Sequence, residues 1–178
     1  KEEMHLLLGD LYLQDGNFSS ALEQYELLTK EELQNRCFYN KTLCFYETGK
    51  VQELADISSS FGTRQDLSSE QKNSIRYLCA SGLFEHLCSS EEQDSSLLAR
   101  AEELFEGCKG TSFESISFYP LGRIAELQNK KTEAASYYEA AAQSQIEKAP
   151  DLLFQAAMLR SETNPELAIA TFEKIISL

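Results

Sequence analysis

The stretch LLLGDLYLQDGNFSSALEQYELL occupies residues 6–28, and a similar stretch, YPLGRIAELQNKKTEAASYYEAA, occupies residues 119–141. Each contains a Leu-Gly pair, then a polar turn, and then an alanine followed four residues later by a tyrosine. A pattern that occurs twice in one chain indicates an internal repeat. Repeats are considered before other motifs because they decide the architecture.

An alanine followed four residues later by an aromatic residue marks four places in the chain. The pairs are Ala21 with Tyr25, Ala101 with Phe105, Ala134 with Tyr138, and Ala168 with Phe172. The last three alanines are 33 and 34 residues apart. This spacing, together with the Leu-Gly pairs, resembles the tetratricopeptide repeat, a helix–turn–helix of 34 residues.

The resemblance implies an all-α fold, an α-solenoid of about five stacked antiparallel helix pairs in a right-handed superhelix. We expect residues 1–178 to form a single repeat domain within a longer protein, because both ends fall in helical patterns. The predicted repeats are 2–35, 36–61, 70–108, 115–148 and 149–178, with an irregular linker at 58–71. The serine-rich segments 58–71 and 89–96 interrupt the period, and we expect them to be the most mobile.

Small residues at fixed positions predict where the two helices of a pair approach each other closely. The expected contacts are Gly9 with Ala21, Ser81 with Ala101, Gly122 with Ala134, and Ala156 with Ala168. A bundle of amphipathic helices with coincidental small residues is the alternative. The recurrence of these positions at a nearly fixed spacing favours the solenoid.

The charge and cysteine content limit the classes of partner and the compartment. The net charge of −13 disfavours direct binding to nucleic acid or to anionic membranes. No apolar run approaches the roughly 20 residues of a membrane span. Five cysteines without a CxxC pair indicate reduced thiols, and hence an intracellular protein of the cytoplasm or nucleus.

Motifs for catalysis, cofactor binding or metal binding are absent from the sequence. It has no phosphate-binding glycine loop, no nucleophile elbow and no HExxH. His5 and His86 lack the partners that a catalytic base or a metal site requires. Runs of acidic residues are expected of solvated helix faces in so acidic a chain. We therefore predict that the protein is not an enzyme and binds no cofactor and no metal.

The resemblance also implies a binding surface. In tetratricopeptide proteins the first helix of each pair lines a concave groove that holds a peptide or a helix of a partner protein. Counted from the Leu-Gly pair, the expected partner-binding residues are Leu6, Asp10, Leu13, Tyr39, Leu43, Tyr46, Tyr119 and Arg123. An acidic Asp10 would repel the C-terminal carboxylate that one subset of the family binds.

The function that this surface predicts is a scaffold or adaptor within a multi-subunit assembly. The alternative is a structural segment of a longer solenoid, used for self-association or as the docking or regulatory arm of a fused catalytic domain.

Overall fold

The structure, a computed structural model, describes residues 1–91 and 94–177. These residues are mostly helical, and no strand occurs among them, so the predicted all-α fold class is confirmed. The helices are α1 Glu2–Gln14, α2 Phe18–Glu26, α3 Glu31–Glu47, α4 Val51–Ser60, α5 Ser69–Ser89, α6 Ser95–Glu106, α7 Glu114–Leu127, α8 Lys131–Ser144, α9 Ala149–Thr163 and α10 Pro165–Ile176. The chain divides into an N-terminal unit, Lys1–Leu104, and a C-terminal unit, Phe105–Leu178.

Three of the turns that join two helices have the same backbone conformation. Their central residues, Gly16, Gly49 and Asn129, have φ angles of 73°, 66° and 59°. The amide that follows each one donates to the carbonyl five residues earlier, at 2.8 Å in every case. Glycine and asparagine adopt positive φ most readily, so these residues end the first helix and reverse the chain. The turns therefore repeat in structure as well as in sequence.

In the N-terminal unit, consecutive helices pack against each other from α1 to α5. The third helix also contacts the first, and the fifth contacts the third, so the first helices of successive pairs are neighbours. Consecutive packing of helix pairs is the arrangement expected of a helical solenoid. The core of this unit includes Tyr25, Leu54, Ile75 and Leu83, each at most 1% exposed.

The predicted linker 58–71 is shorter in the structure. Ser58 is buried and belongs to α4, and residues 61–63 form a short 3-10 helix whose Phe61 is buried. The helix α5 begins at Ser69, where Ser68 caps it in a reciprocal hydrogen-bond pair with Gln71. Within this segment only residues 64–68 are non-helical. The serine-rich sequence contains the buried Phe61 and the Ser68–Gln71 capping box, which extend the helical structure from both sides. The other predicted mobile segment, 89–96, includes residues 92 and 93, which lie outside the described residues.

In the third repeat, α5 approaches the preceding helix pair closely at Gly82, where an added Cβ would lie 2.4 Å from Cδ1 of Leu54 in α4. The helix α6 is held by Arg100, which donates to the hydroxyl of Ser58 at 3.0 Å and to its carbonyl. The long helix α5 therefore packs on the preceding pair through its glycine.

In the C-terminal unit, α7, α8, α9 and α10 pack consecutively. Alanines make up much of its core: Ala125, Ala134, Ala135, Ala141, Ala142 and Ala156 cluster with Tyr138, Leu152 and Leu153. Small side chains let the helices approach closely, and the fully buried ring of Tyr138 packs among them.

Candidate protein-binding surface

A tyrosine packs on a glycine in the first and fourth helix pairs. A Cβ added to Gly9 would lie 2.5 Å from the ring of Tyr25, and one added to Gly122 would lie 2.7 Å from the ring of Tyr138. The alanines that the sequence predicts at these contacts are not the nearest groups. The tyrosine, four residues later on the same face of the second helix, reaches across and occupies the space above the glycine.

The hydroxyl of Tyr25 connects three helices on the face where α1 meets α3. It donates to Oδ1 of Asp10 at 2.7 Å, and Nδ2 of Asn40 donates to the same oxygen at 3.0 Å. Burial, followed by the hydrogen bond to Asp10, raises the pKa of Tyr25 well above its usual value. Asp10, predicted to bind a partner, therefore has a structural role as the acceptor that ties α1 to α2 and α3.

In the fourth pair the corresponding tyrosine also donates to a carboxylate on the first helix, but the carboxylate stands at a different position. Tyr138 donates to Oε2 of Glu126, which lies three positions after the counterpart of Asp10. Arg123, which stands at that counterpart, forms an ion pair with the same Oε2 at 2.8 Å. Arg123, also predicted to bind a partner, thus contributes to holding its own helix pair together.

A further hydrogen bond joins the first helices of the second and third repeats. The hydroxyl of Tyr46 donates to Oε1 of Glu85 at 2.7 Å, and a Cβ added to Gly82 would lie 3.4 Å from the ring of Tyr46. Burial, then the bond to Glu85, raises the pKa of Tyr46 above its usual range. Together with the Asp10–Asn40 bond, this contact makes α1, α3 and α5 lateral neighbours.

We call the exposed side of this row the first-helix face, defined by Leu13, Tyr39, Leu43 and Tyr46. All four side chains are partly exposed. Tyr39, Leu43 and Tyr46 are spaced four and three residues apart, so they lie along one stripe of α3. Leu13 of α1 stands at the repeat position of Tyr46, 33 residues earlier.

The remaining predicted residues stand elsewhere. Leu6 is only 3% exposed, so the prediction that it faces a partner is wrong. Leu6 lies on the side of α1 that packs against α2 and α3, and its side chain is therefore part of the core. Tyr119 is 38% exposed, and its ring centroid lies 6.2 Å from that of Tyr138. Tyr119 belongs to the C-terminal unit and is not part of the first-helix face.

An exposed apolar stripe on α1 was not predicted from the sequence. Met4, Leu7, Leu8 and Leu11 are 71%, 59%, 39% and 60% exposed, and they line a shallow pocket together with Lys1 and His5. Their spacing of three, four and seven residues, which predicts one helix face, is the signal that could have revealed it. We call these four residues the α1 stripe.

The cysteines are free thiols, and Cys37, Cys44, Cys79 and Cys108 are buried. Burial raises the pKa of Cys44 to about 11 and that of Cys79 to about 12. The fifth, Cys88, is exposed. The buried thiols therefore act as small apolar core residues.

The described residues contain no cluster of three or more His, Cys, Asp or Glu side chains that could hold a metal ion. Within the same residues, no helix combines the length and the apolar character needed to cross a bilayer.

Residues 2–35 match the tetratricopeptide repeat family. The match covers α1, α2 and the start of α3, and it confirms the resemblance for residues 6–28. Repeats of this family generally mediate protein–protein interactions and are typically not catalytic. No curated protein and no solved structure matches the chain.

Proposed function

We propose that this protein is a non-catalytic adaptor that binds a segment of a partner protein on the first-helix face. The observation that carries the proposal is the lateral joining of α1, α3 and α5 by the Asp10–Asn40 and Tyr46–Glu85 bonds. These bonds align the partly exposed Tyr39 and Leu43 on one rigid surface. Partly exposed aromatic side chains on a rigid support are typical of interface hot spots.

The charge of this unit indicates the chemistry of the partner segment. The N-terminal unit contains nineteen acidic and nine basic residues, a net charge of −10. The carboxylates of Asp10 and Glu85 belong to the two bonds that support the face. A partner segment whose apolar residues contact Tyr39 and Leu43, and whose flanking residues are Lys or Arg, would match both the apolar face and the negative charge of the unit. We place this interaction in a multi-subunit assembly of the cytoplasm or nucleus, a location supported by the five free thiols.

The test is a selection of random peptides on the whole chain, followed by affinity measurements on two variants. We expect the peptides selected on the unchanged chain to contain apolar and basic residues. Their affinity for the Tyr39→Ser/Leu43→Ser variant should be at least tenfold weaker than for the unchanged chain. Tyr46 is left intact because it also joins α3 to α5, so changing it would confuse folding with binding.

Ile146→Ser is the matched control, because Ile146 is 81% exposed in the C-terminal unit and lies outside the face. Both variants should melt close to the unchanged chain. Peptides that bind the Tyr39→Ser/Leu43→Ser variant as tightly as the unchanged chain would show that the first-helix face is not the site.

The alternative role in self-association would use a different surface, the exposed apolar residues of the α1 stripe.

A further inference from the structure

A pocket of about 360 Å³ lies beside the first-helix face, where α3 turns into α4 and the last turns of α5 pass the turn. We call it the α3–α5 pocket. Tyr46 lines it from α3, Val51 and Leu54 line it from α4, and Gly82 and Glu85 line it from α5. All five residues belong to the N-terminal unit, and Tyr46 is shared with the first-helix face. The pocket is therefore an extension of that face, formed by contacts among three internal helices.

One side of the α3–α5 pocket is apolar. Leu54 is 0% exposed, and a Cβ added to Gly82 would lie 2.4 Å from its Cδ1, so the backbone of α5 rests directly on the leucine. Val51 and the ring of Tyr46 are partly exposed beside it. A side chain that enters the pocket would therefore contact an aliphatic and aromatic wall, which suits a stem of methylene groups.

The other side of the pocket carries negative charge. Oε1 of Glu85 accepts from the hydroxyl of Tyr46 at 2.7 Å, a bond that fixes the position of the carboxylate. A carboxylate offers about four acceptor sites, so this bond leaves room for a further donor. Burial raises the pKa of Tyr46, and the hydrogen bond to Glu85 and the charges of Glu85 and Glu47 raise it further. The hydroxyl therefore stands in a negative field.

The helix ends at the pocket add to this field. The helices α3 and α5 end there, at Glu47 and Ser89, and α4 begins there at Val51. The C-terminus of a helix carries a partial negative charge and the N-terminus a partial positive one. Two C-termini against one N-terminus leave a net preference for a cation.

We infer that the α3–α5 pocket binds one arginine side chain of the partner segment. The guanidinium would lie on the Glu85 carboxylate, and the methylene stem would lie on Leu54 and Val51. This inference deepens the proposed function and rests on it, because the partner is the segment that binds the first-helix face. It assigns a specificity-determining role to Glu85, which was not among the predicted binding residues.

Arginine fits the pocket better than the other residue types. Its planar fork donates two parallel hydrogen bonds to a carboxylate, and its guanidinium stacks on aromatic rings such as that of Tyr46. Lysine offers a point charge without the fork. An acidic side chain would be repelled by Glu85, and an apolar one would cover the carboxylate without a hydrogen bond to offset its desolvation.

The position of the pocket predicts where the arginine stands in the partner. Tyr39 and Tyr46 are seven residues apart on α3, which is about 10 Å along the helix. An extended segment advances about 3.3 Å per residue. In an extended partner, the arginine should therefore follow or precede the residue on Tyr39 by about three positions.

The test uses the peptides selected on the whole chain, each synthesised in three forms. The first form keeps the arginine, the second has methionine in its place, and the third has lysine. Binding to the unchanged chain should be about tenfold weaker for the methionine form, since a close charge pair is lost, and intermediate for the lysine form. These changes leave the protein itself unaltered, so they cannot disturb its folding.

The variant Glu85→Gln tests the pocket from the side of the protein. The amide oxygen of glutamine can still accept from Tyr46, so the bond between α3 and α5 is retained while the charge is removed. This variant should bind the arginine form about tenfold more weakly and the methionine form within about twofold of the unchanged chain. Glu23→Gln is the matched control, because it removes the same charge at an exposed position of α2 and should leave both affinities within about twofold. Melting curves establish that both variants are folded.

The outcomes separate this inference from the proposed function. Normal binding by the Tyr39→Ser/Leu43→Ser variant, or a selection that yields no binding peptide, would overturn both. If that variant binds weakly while Glu85→Gln and the methionine form bind as tightly as their parents, only the arginine pocket is overturned. Equal weakening of the arginine and methionine forms by Glu85→Gln would also overturn it, since the carboxylate would then act without contacting the arginine. A lysine form that binds as tightly as the arginine form would overturn the assignment to arginine.

Discussion

Replacing Gly122 with alanine tests the contact between glycine and tyrosine that defines the helix pairs. The new Cβ would lie 2.7 Å from Cε1 and 2.8 Å from Cδ1 of Tyr138, whereas ordinary contacts begin near 3.4 Å. The ring would have to move by about 0.7 Å, but it is fully buried and its hydroxyl is bonded to Glu126. The added methyl group therefore has two opposing effects on stability: it overpacks the contact with Tyr138, and it raises the helix propensity of residue 122.

The two effects can be estimated separately. Overpacking a rigid site costs about 1–3 kcal/mol. Alanine in place of glycine inside a helix contributes about 1 kcal/mol of stability. We expect a net loss of roughly 0–2 kcal/mol in the free energy of unfolding for Gly122→Ala, and a larger loss for Gly122→Leu, whose side chain would separate α7 from α8.

Urea unfolding followed by circular dichroism gives these free energies, and hydrogen exchange of the α8 amides shows whether the loss is local. The decisive comparison uses Tyr138→Leu as background, because without the ring only the gain in helix propensity should remain. Gly122→Ala should then stabilise the protein by about 1 kcal/mol. Gly62→Ala is the control, since nothing lies within 4 Å of the added Cβ. A stabilising effect of Gly122→Ala with Tyr138 present would refute the argument.

Three further predictions follow from buried groups. Asp10→Ala should lower the free energy of unfolding by about 1–3 kcal/mol, because it leaves the buried Tyr25 hydroxyl without its acceptor. Asp15→Ala, at an exposed position, should change it by less than about 0.5 kcal/mol, and urea unfolding midpoints compare the two variants. The pKa values of Tyr25 and Tyr138 are raised on folding, so their contribution is complete below pH 10, the ordinary tyrosine pKa, and is lost as the pH rises above it. Above pH 10, each of these two tyrosines should lower the free energy of unfolding by about 1.4 kcal/mol per pH unit. In a chain carrying Tyr25→Phe and Tyr138→Phe, the free energy of unfolding should therefore fall less steeply with rising pH. Ellman's reagent should modify one thiol rapidly in the native chain, that of Cys88, and all five in denaturant; rapid native modification of Cys44 or Cys79 would contradict their burial.

The sequence predicted those parts of the fold that depend on local rules. The turns at Gly16, Gly49 and Asn129 lie where the polar stretches interrupt the helical period, because a tight reversal needs a residue that tolerates positive φ. The first pair and the pair α7–α8 were also predicted, from their Leu-Gly pairs and the alanine that follows, although the residue that faces each glycine is the tyrosine and not the predicted alanine. These features involve residues close in sequence, so their spacing determines the contact.

The parts that the sequence did not predict depend on which neighbour covers a helix face. Helical periodicity shows that Leu6 and Leu7 are both apolar, but it does not show that one is 3% and the other 59% exposed. The close approach of α5 at Gly82 was not predicted, because it depends on the position of Leu54 in another helix. The same reasoning explains why the α1 stripe was missed: an apolar residue is expected to be buried unless the three-dimensional neighbours are known.

The tyrosine bonds explain how repeats with different residues on their first helices can keep one architecture. Tyr25 and Tyr138 occupy the same position, and each donates its hydroxyl to a carboxylate on the first helix of its pair. The acceptor is Asp10 in one pair and Glu126 in the other, three positions apart on adjacent turns of the helix. Because either position can supply the acceptor, the other is released from that structural role, and in the first pair Leu13 is left partly exposed on the first-helix face. Asp10, which was predicted to bind a partner, is thus a structural acceptor, and it can be distinguished from Leu13 only by locating the tyrosine hydroxyl.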